Sequence, residues 1–263
     1  MAMRRILTTF SLAAGLTSLA TGSLAAQDRG NPDWHFTLAP YLWFSNLNGA
    51  QTLGLPHDHQ VAGPAIVPVG DTLLEPSWMV RAEAGKGRWR GWLNVSGAKV
   101  ADAVVFHLES DPSVSTSGAY DLSWHTAELY AAVQVGAFTT TNAIELYAGG
   151  RYTRHRQILT TETETDSITE TWIDPVIGSR FFVEMGGRFW ATFNGDIGGF
   201  GVGSDFTWTM AGELGFRVFK PLDISLRYNY QEIDYDNRKT GADAYRWSNG
   251  VQQGWFLGAI LKL

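Results

Sequence analysis

Twelve charged residues sit where their spacing would turn them to one side of extended chain: Arg81, Glu83, Arg90, Glu128, Glu145, Arg151, Asp174, Arg180, Asp196, Asp205, Glu213 and Arg227. Each falls on the polar side of a run that alternates polar and apolar residues. Enclosed in a narrow interior, such charges are costly alone and should pair across neighbouring strands. Two kinds of chemistry are open to them. One is a structural salt-bridge network that fills the interior, and the other is a charged constriction that biases which ions pass. Other groupings carry less. The glycine-rich stretch 198–203 lacks the Lys-Ser/Thr and the following helix that a phosphate loop requires, so it reads as a tight hairpin. His57-Asp58-His59 has metal-ligand residue types, but three contiguous side chains rarely converge without a partner elsewhere, and no metal site is assigned. His107, His125 and His155 fall near the same end of their segments, with nothing in the spacing to bring them together. Ser123 and His125 share a face at i and i+2 without a third member. No catalytic motif is present, and the expectation is a chain that is not an enzyme and needs no cofactor.

The elements that must position these residues are strands. From Trp34 to Phe44 every even position is apolar: Trp34, Phe36, Leu38, Pro40, Leu42 and Phe44. Similar period-two runs alternate Glu128 with Leu129, Glu145 with Leu146, and Arg227 with Leu226. About ten such segments can be marked, near 34–44, 77–85, 88–100, 122–135, 143–156, 171–183, 188–197, 205–217, 222–235 and 250–263. Short turns rich in Gly, Asn and Pro alternate with longer connections near 45–76, 101–121, 157–170 and 236–249. The stretch 160–171, rich in Thr interleaved with acidic residues, reads first as a solvated acidic loop, and the strand preference of Thr opens the alternative of a hairpin that extends above a membrane. Short turns at one end and long loops at the other is the plan of an all-β, transmembrane, antiparallel up-and-down barrel of about ten strands. On the apolar faces Trp34, Trp89, Phe189 and Phe216 fall near the short-turn ends, and Trp78, Tyr152 and Phe206 near the long-loop ends, as interfacial girdles would. Alternation alone does not say which face is outward, and a soluble sandwich alternates too.

The N-terminus suggests the compartment. Arg4 and Arg5 precede a largely apolar Ile6–Ala20, and Ser23-Leu24-Ala25 offers a cleavage site, so residues 1–25 read as a signal peptide and 26–263 as the barrel. Cleavage leaves 263 − 25 = 238 residues and, with two arginines gone, moves the net charge from −6 to −8. An acidic chain without a basic stripe gives no support for nucleic-acid binding. There is no cysteine, so backbone pairing and packing must hold the fold.

Trp172-Ile173-Asp174-Pro175-Val176-Ile177-Gly178-Ser179-Arg180, followed by Gly195-Asp196-Ile197-Gly198-Gly199-Phe200-Gly201-Val202-Gly203-Ser204-Asp205, is distinctive. With Pro40-Tyr41-Leu42-Trp43 near the mature start, the chain resembles a family of largely uncharacterised Gram-negative outer-membrane β-barrel proteins. The resemblance covers most of the mature chain and implies an integral outer-membrane barrel, sometimes labelled porin-like, with no agreed substrate and no catalytic residues. One departure is the end, Ile260-Leu261-Lys262-Leu263, where such barrels commonly close on Phe or Trp. The expected partners are outer-membrane lipid, lipopolysaccharide and the barrel assembly machinery. The expected function is a narrow channel for small ions or solutes. The alternatives are a closed structural or surface-interaction barrel and a lipid-modifying enzyme at the rim.

Overall fold

The computed structural model describes residues 32–54, 65–73, 77–108, 111, 113, 115–137, 142–162 and 165–263. The expected signal peptide and His57-Asp58-His59 lie outside these residues. The described chain forms strands β1 (His35–Leu53), β2 (Ala65–Leu73), β3 (Ser77–Lys86), β4 (Trp89–Leu108), β5 (Ser115–Gly136), β6 (Ala143–Thr160), β7 (Thr165–Glu184), β8 (Phe189–Gly198), β9 (Phe206–Phe219), β10 (Leu222–Asp236) and β11 (Tyr245–Lys262). Each pairs antiparallel with its neighbours, and β11 closes on β1 from Thr37↔Lys262 to Leu53↔Tyr245. β3 lies along the lower half of β1 and β2 along its upper half, running in the same direction. Together they make one interrupted stave, so eleven strands build a closed barrel of ten staves.

Closure leaves no sheet edge, which is the condition for placing strands in hydrocarbon. The outer wall meets that condition with apolar side chains. Leu129 is 65% exposed, Met210 61% and Ile173 60%, and Leu146, Ile177, Phe193, Leu214, Leu226 and Leu257 stand on the same face. A continuous belt of this kind is foreign to a soluble surface. Trp34, Trp89 and Phe189 edge it at the short-turn end, with Phe216 half-buried against Phe189 at a 5.0 Å ring separation. Trp78, Tyr152 and Phe206 edge it at the other.

The strands run further than their alternation suggests. The connections expected at 45–76, 101–121 and 157–170 are largely strand, and that at 236–249 is strand only at its ends: β1 reaches Leu53, β4 Leu108 and β6 Thr160, while β5 starts at Ser115, β7 at Thr165 and β11 at Tyr245. A 20-residue strand such as β4, tilted at ~40°, stands roughly 50 Å tall, about twice the ~25 Å apolar band. The reason these extensions are hard to recognise is a reversal of phase. Within the band, β6 turns Leu146 and Tyr152 outward and Glu145 and Arg151 inward; above it, Arg154 and Arg156 face out and His155, Gln157 and Leu159 face in. β5 reverses likewise, with Asp121, Ser123 and His125 outside and Tyr120, Leu122 and Trp124 buried. Backbone pairing continues unbroken through the reversal.

Leu129 sits deep in the apolar band, so Leu129→Arg is expected to lower stability by about 2–4 kcal/mol in urea unfolding from phospholipid vesicles. Ser117→Arg, outward on the same strand above the band, is expected to change it by less than about 0.5 kcal/mol. Equal effects at the two positions would place the band elsewhere.

Candidate functional site

The lumen holds the charges the sequence singles out, at side chains fixed by strands on every side. Glu83 on β3, Arg90 on β4, Glu145 on β6 and Arg180 on β7 form an alternating ring: Arg90 Nε to Glu145 Oε1 at 2.7 Å, Arg180 Nε to Glu145 Oε2 at 2.6 Å, Arg180 Nη1 to Glu83 Oε2 at 2.8 Å, and Arg90 Nη1 to Glu83 Oε1 at 3.5 Å. The Arg180 guanidinium also lies over the Trp92 ring, 4.3 Å from its centroid. A second group reaches across the β1–β11 closure: Glu213 on β9 accepts from Tyr41 of β1 at 2.9 Å and faces Arg81 of β3 at 3.6 Å and Arg227, its register partner on β10, at 3.7 Å. A third is centred on Arg151, 1% exposed, which donates to Glu128 at 2.7 Å, Asp196 at 2.9 Å and Thr209 at 3.0 Å. Asn94 ties the groups together, accepting from Arg81 at 2.8 Å and donating to Glu128 at 2.7 Å. Arginines 81, 90, 151, 180 and 227 thus meet carboxylates 83, 128, 145, 196 and 213, and the network is neutral as a whole. Nearer the short-turn end, Asp223 takes Lys262 at 2.8 Å and the Trp190 indole N–H at 2.8 Å.

Above this polar section the interior is aromatic. His155 is enclosed by Trp124, Trp172 and Trp247, each 4.8 Å away between ring centres, and Trp172 stacks on Tyr235 at 4.0 Å. Trp43 stacks on Phe256 at 4.9 Å where the two sections meet. Some of the polar groups here bond to each other, while the Trp124 and Trp247 indole N–H groups have no partner among the described residues. Gln157 donates to Gln51 at 2.7 Å and to the Tyr245 hydroxyl at 2.8 Å, Tyr120 donates to Gln51, and His155 Nδ1 lies 2.8 Å from the Tyr245 hydroxyl.

Interior and exterior are therefore inverted over the lower half: guanidinium and carboxylate groups are buried while leucine, isoleucine and phenylalanine face out. This is a transmembrane β-barrel. No family model matches the sequence, and no curated protein matches it. Among solved structures, the barrel is similar to neisserial surface protein A (12% identity over 87% of this chain and 97% of that one, TM-score 0.39). It is similar to Ail, the attachment invasion locus protein of Yersinia pestis, crystallised with a heparin analogue (7% identity, 88% and 99%, TM-score 0.41), and to the beta domain of the Bordetella autotransporter BrkA (10% identity, 87% and 98%, TM-score 0.42). The fold is read from this chain's own register and burial.

Two of the twelve charges stand apart from the network. Asp205 is corrected outright: it precedes β9, its side chain is half exposed, and it pairs with Arg238 at 3.0 Å on the rim. The alternation of β9 begins one residue later, so Asp205 has no inward position to occupy. Asp174 does face in and is fully buried, but it serves neutral donors: the Ser204 N–H at 2.6 Å, the Ser204 hydroxyl at 2.8 Å and the Trp172 indole at 3.0 Å. It pins the 199–205 turn down onto β7. A Cβ on Gly203 would lie 2.4 Å from the Ile173 carbonyl oxygen, so the close approach needs glycine. The distinctive motif 172–180 and the glycine-rich segment after it are thus two halves of one rim lock. The three histidines separate: His155 is in the aromatic core, His125 faces outward beside Ser123, and His107 is near the top of β4. The aromatic section lies beyond what the alternation of the lipid-facing segments predicts. Its signal is present in the alternation of Tyr120, Leu122 and Trp124, read in the opposite phase from the rest of β5.

Removing one member of the ring strands its partners. Glu145→Leu leaves Arg90 and Arg180 sharing Glu83, and is expected to cost about 3–5 kcal/mol in denaturant unfolding. A change below about 1 kcal/mol would mean that water already solvates the ring.

Proposed function

We propose that the protein is a sealed outer-membrane barrel that acts through its wall and its extracellular end, the second of the functions expected from the sequence, in preference to passive conduction. The observation that carries this reading is the interior. From Asp223 to Trp247 the axis is crossed by side chains bonded from one stave to another, and cavities among the described residues measure about 60 Å³ beside Arg151 and about 110 Å³ at the short-turn mouth, with a further one of about 130 Å³ beside Gln157 and Leu159 toward the long-loop end, room for a few waters each. Ten staves also lie near the narrow limit at which a barrel fills with its own side chains. In this reading the chain is exported by its signal peptide, inserted by the barrel assembly machinery, and contacts outer-leaflet lipid. The half of the wall above the apolar band supports a role at the cell surface, because a channel does not need a second storey.

Planar-bilayer recording tests this. Refolded wild-type protein is expected to give no discrete conductance steps, whereas Arg151→Ala combined with Trp124→Ala and Trp247→Ala, which removes a bolt from each interior section, is expected to give steps. Steady steps from the wild type would restore the channel reading.

A further inference from the structure

The outward face of β4 to β7 carries cations at one particular height. The register makes rows across these four strands. Val95, Ala127, Tyr152 and Ile173 form the last apolar row of the band. The next row outward is Gly97, His125, Arg154 and Thr171, and the one after it Lys99, Ser123, Arg156 and Thr169. Lys99, His125, Arg154, Arg156, Thr169 and Thr171 are all exposed. Neighbouring strands lie about 4.8 Å apart and alternate residues about 6.6 Å apart along a strand, so the backbone positions of the three cations fall within about 12 Å of one another.

These cations differ from those in the lumen. Each lumen arginine has a carboxylate partner, whereas Lys99, Arg154 and Arg156 have none among the described residues. The nearest outward acid in the same strands, Asp121, stands one row further from the band, in register with Ile158. The far side of the barrel has the opposite character. There β10 turns Glu232 and Asp234 outward above the aromatic row, and both are engaged: Glu232 accepts from the Trp208 indole at 3.1 Å, and Asp234 from the Asn249 N–H at 2.7 Å. The basic sector is therefore local rather than a general property of an acidic chain.

We infer that Lys99, Arg154 and Arg156, with the hydroxyls of Ser123, Thr169 and Thr171, bind the phosphate groups of a phosphorylated outer-leaflet lipid whose acyl chains lie against the apolar band below. Position selects this occupant. The patch begins one row above Tyr152 and Ile173, so a lipid packed on those residues holds its headgroup against the cations, and three unpaired charges match a headgroup with more than one phosphate. This rests on the transmembrane reading and extends it to the partner at the outer interface.

The test uses the refolded full barrel in phosphatidylcholine nanodiscs, titrated with bis-phosphorylated lipid A and with chemically dephosphorylated lipid A. Insertion is scored first, by heat-modifiable electrophoretic mobility and protection of the strands from protease. Wild type is expected to bind the bis-phosphorylated form at least about tenfold more tightly than the dephosphorylated one, a preference that weakens as salt rises. Lys99→Gln/Arg154→Gln/Arg156→Gln is expected to abolish that preference. Arg238→Gln/Lys239→Gln/Arg246→Gln, which removes the same charge from another part of the extracellular end, is expected to keep it. An inserted wild type with no phosphate preference, or equal loss in both triple variants, would overturn the patch and leave the barrel reading intact. Failure of the wild type to insert would overturn both.

Discussion

A strand in hydrocarbon can satisfy its N–H and C=O groups only across the ladder to another strand, and the rest of this structure follows from that requirement. Closure of β11 on β1 meets it, and closure creates an inside with no lipid and little room. Any polar side chain turned inward must then find its partner inside the barrel, on a neighbouring strand or across the lumen. Here Arg151 meets Glu128, its register partner on β5, and reaches Asp196 on β8, while Arg180 meets Glu145, its register partner on β6, and reaches Glu83 on β3. The pairs are worth little as isolated Coulomb attractions, since burial costs each ion most of what the partner returns. Their weight is in register. A one-residue slip of any stave would turn its charge into lipid and strand the partner inside.

Above the band the same ten staves obey the opposite rule. Water is now outside, so the wall becomes polar and the interior apolar, and the barrel closes over Trp124, Trp172, Trp247 and His155 as a soluble barrel would. Two interiors are stacked on one backbone, one held by ion pairs and one by aromatic packing, meeting near Trp43 and Phe256. The rim lock of Asp174 on Ser204 belongs to the upper section, and it needs glycine at 199 and 203, where the turn approaches Ser204 and Ile173 closely.

Legibility in the sequence follows this division. Where the wall faces lipid, contrast between faces is greatest, and Glu145, Arg151, Glu213 and Arg227 could be placed inward from alternation alone. Above Tyr152 the contrast reverses sign, because outward residues there are Arg, Ser and Thr while inward ones are Trp, Tyr and Leu. A reader following one phase sees the pattern stop and takes the remainder for loop. β2 is hard to recognise for a second reason: Pro68 and Gly70 within it are residues that argue against a strand. Asp205 was misplaced because a turn residue adjoining an alternating run shares its parity without sharing its backbone. Glu128–Arg151, Glu145–Arg180 and Glu213–Arg227 are register partners on adjacent strands, as pairing across neighbouring strands predicts, whereas the contacts that cross the lumen, such as Arg180 to Glu83 at 97 residues' separation, are set by the stagger around the whole barrel, and no local pattern encodes them.

The absence of cysteine makes the central claim directly measurable. Single cysteines placed along β6 from 144 to 160 in protein reconstituted in lipid vesicles, and treated from outside with a membrane-impermeant maleimide, should label at 154 and 156. They should stay protected at 146, 148 and 150 by lipid, and at 145, 147, 151, 155 and 157 by the filled interior. Labelling at 146 and 148 would contradict the apolar band, and labelling at the inward positions would contradict the sealed lumen.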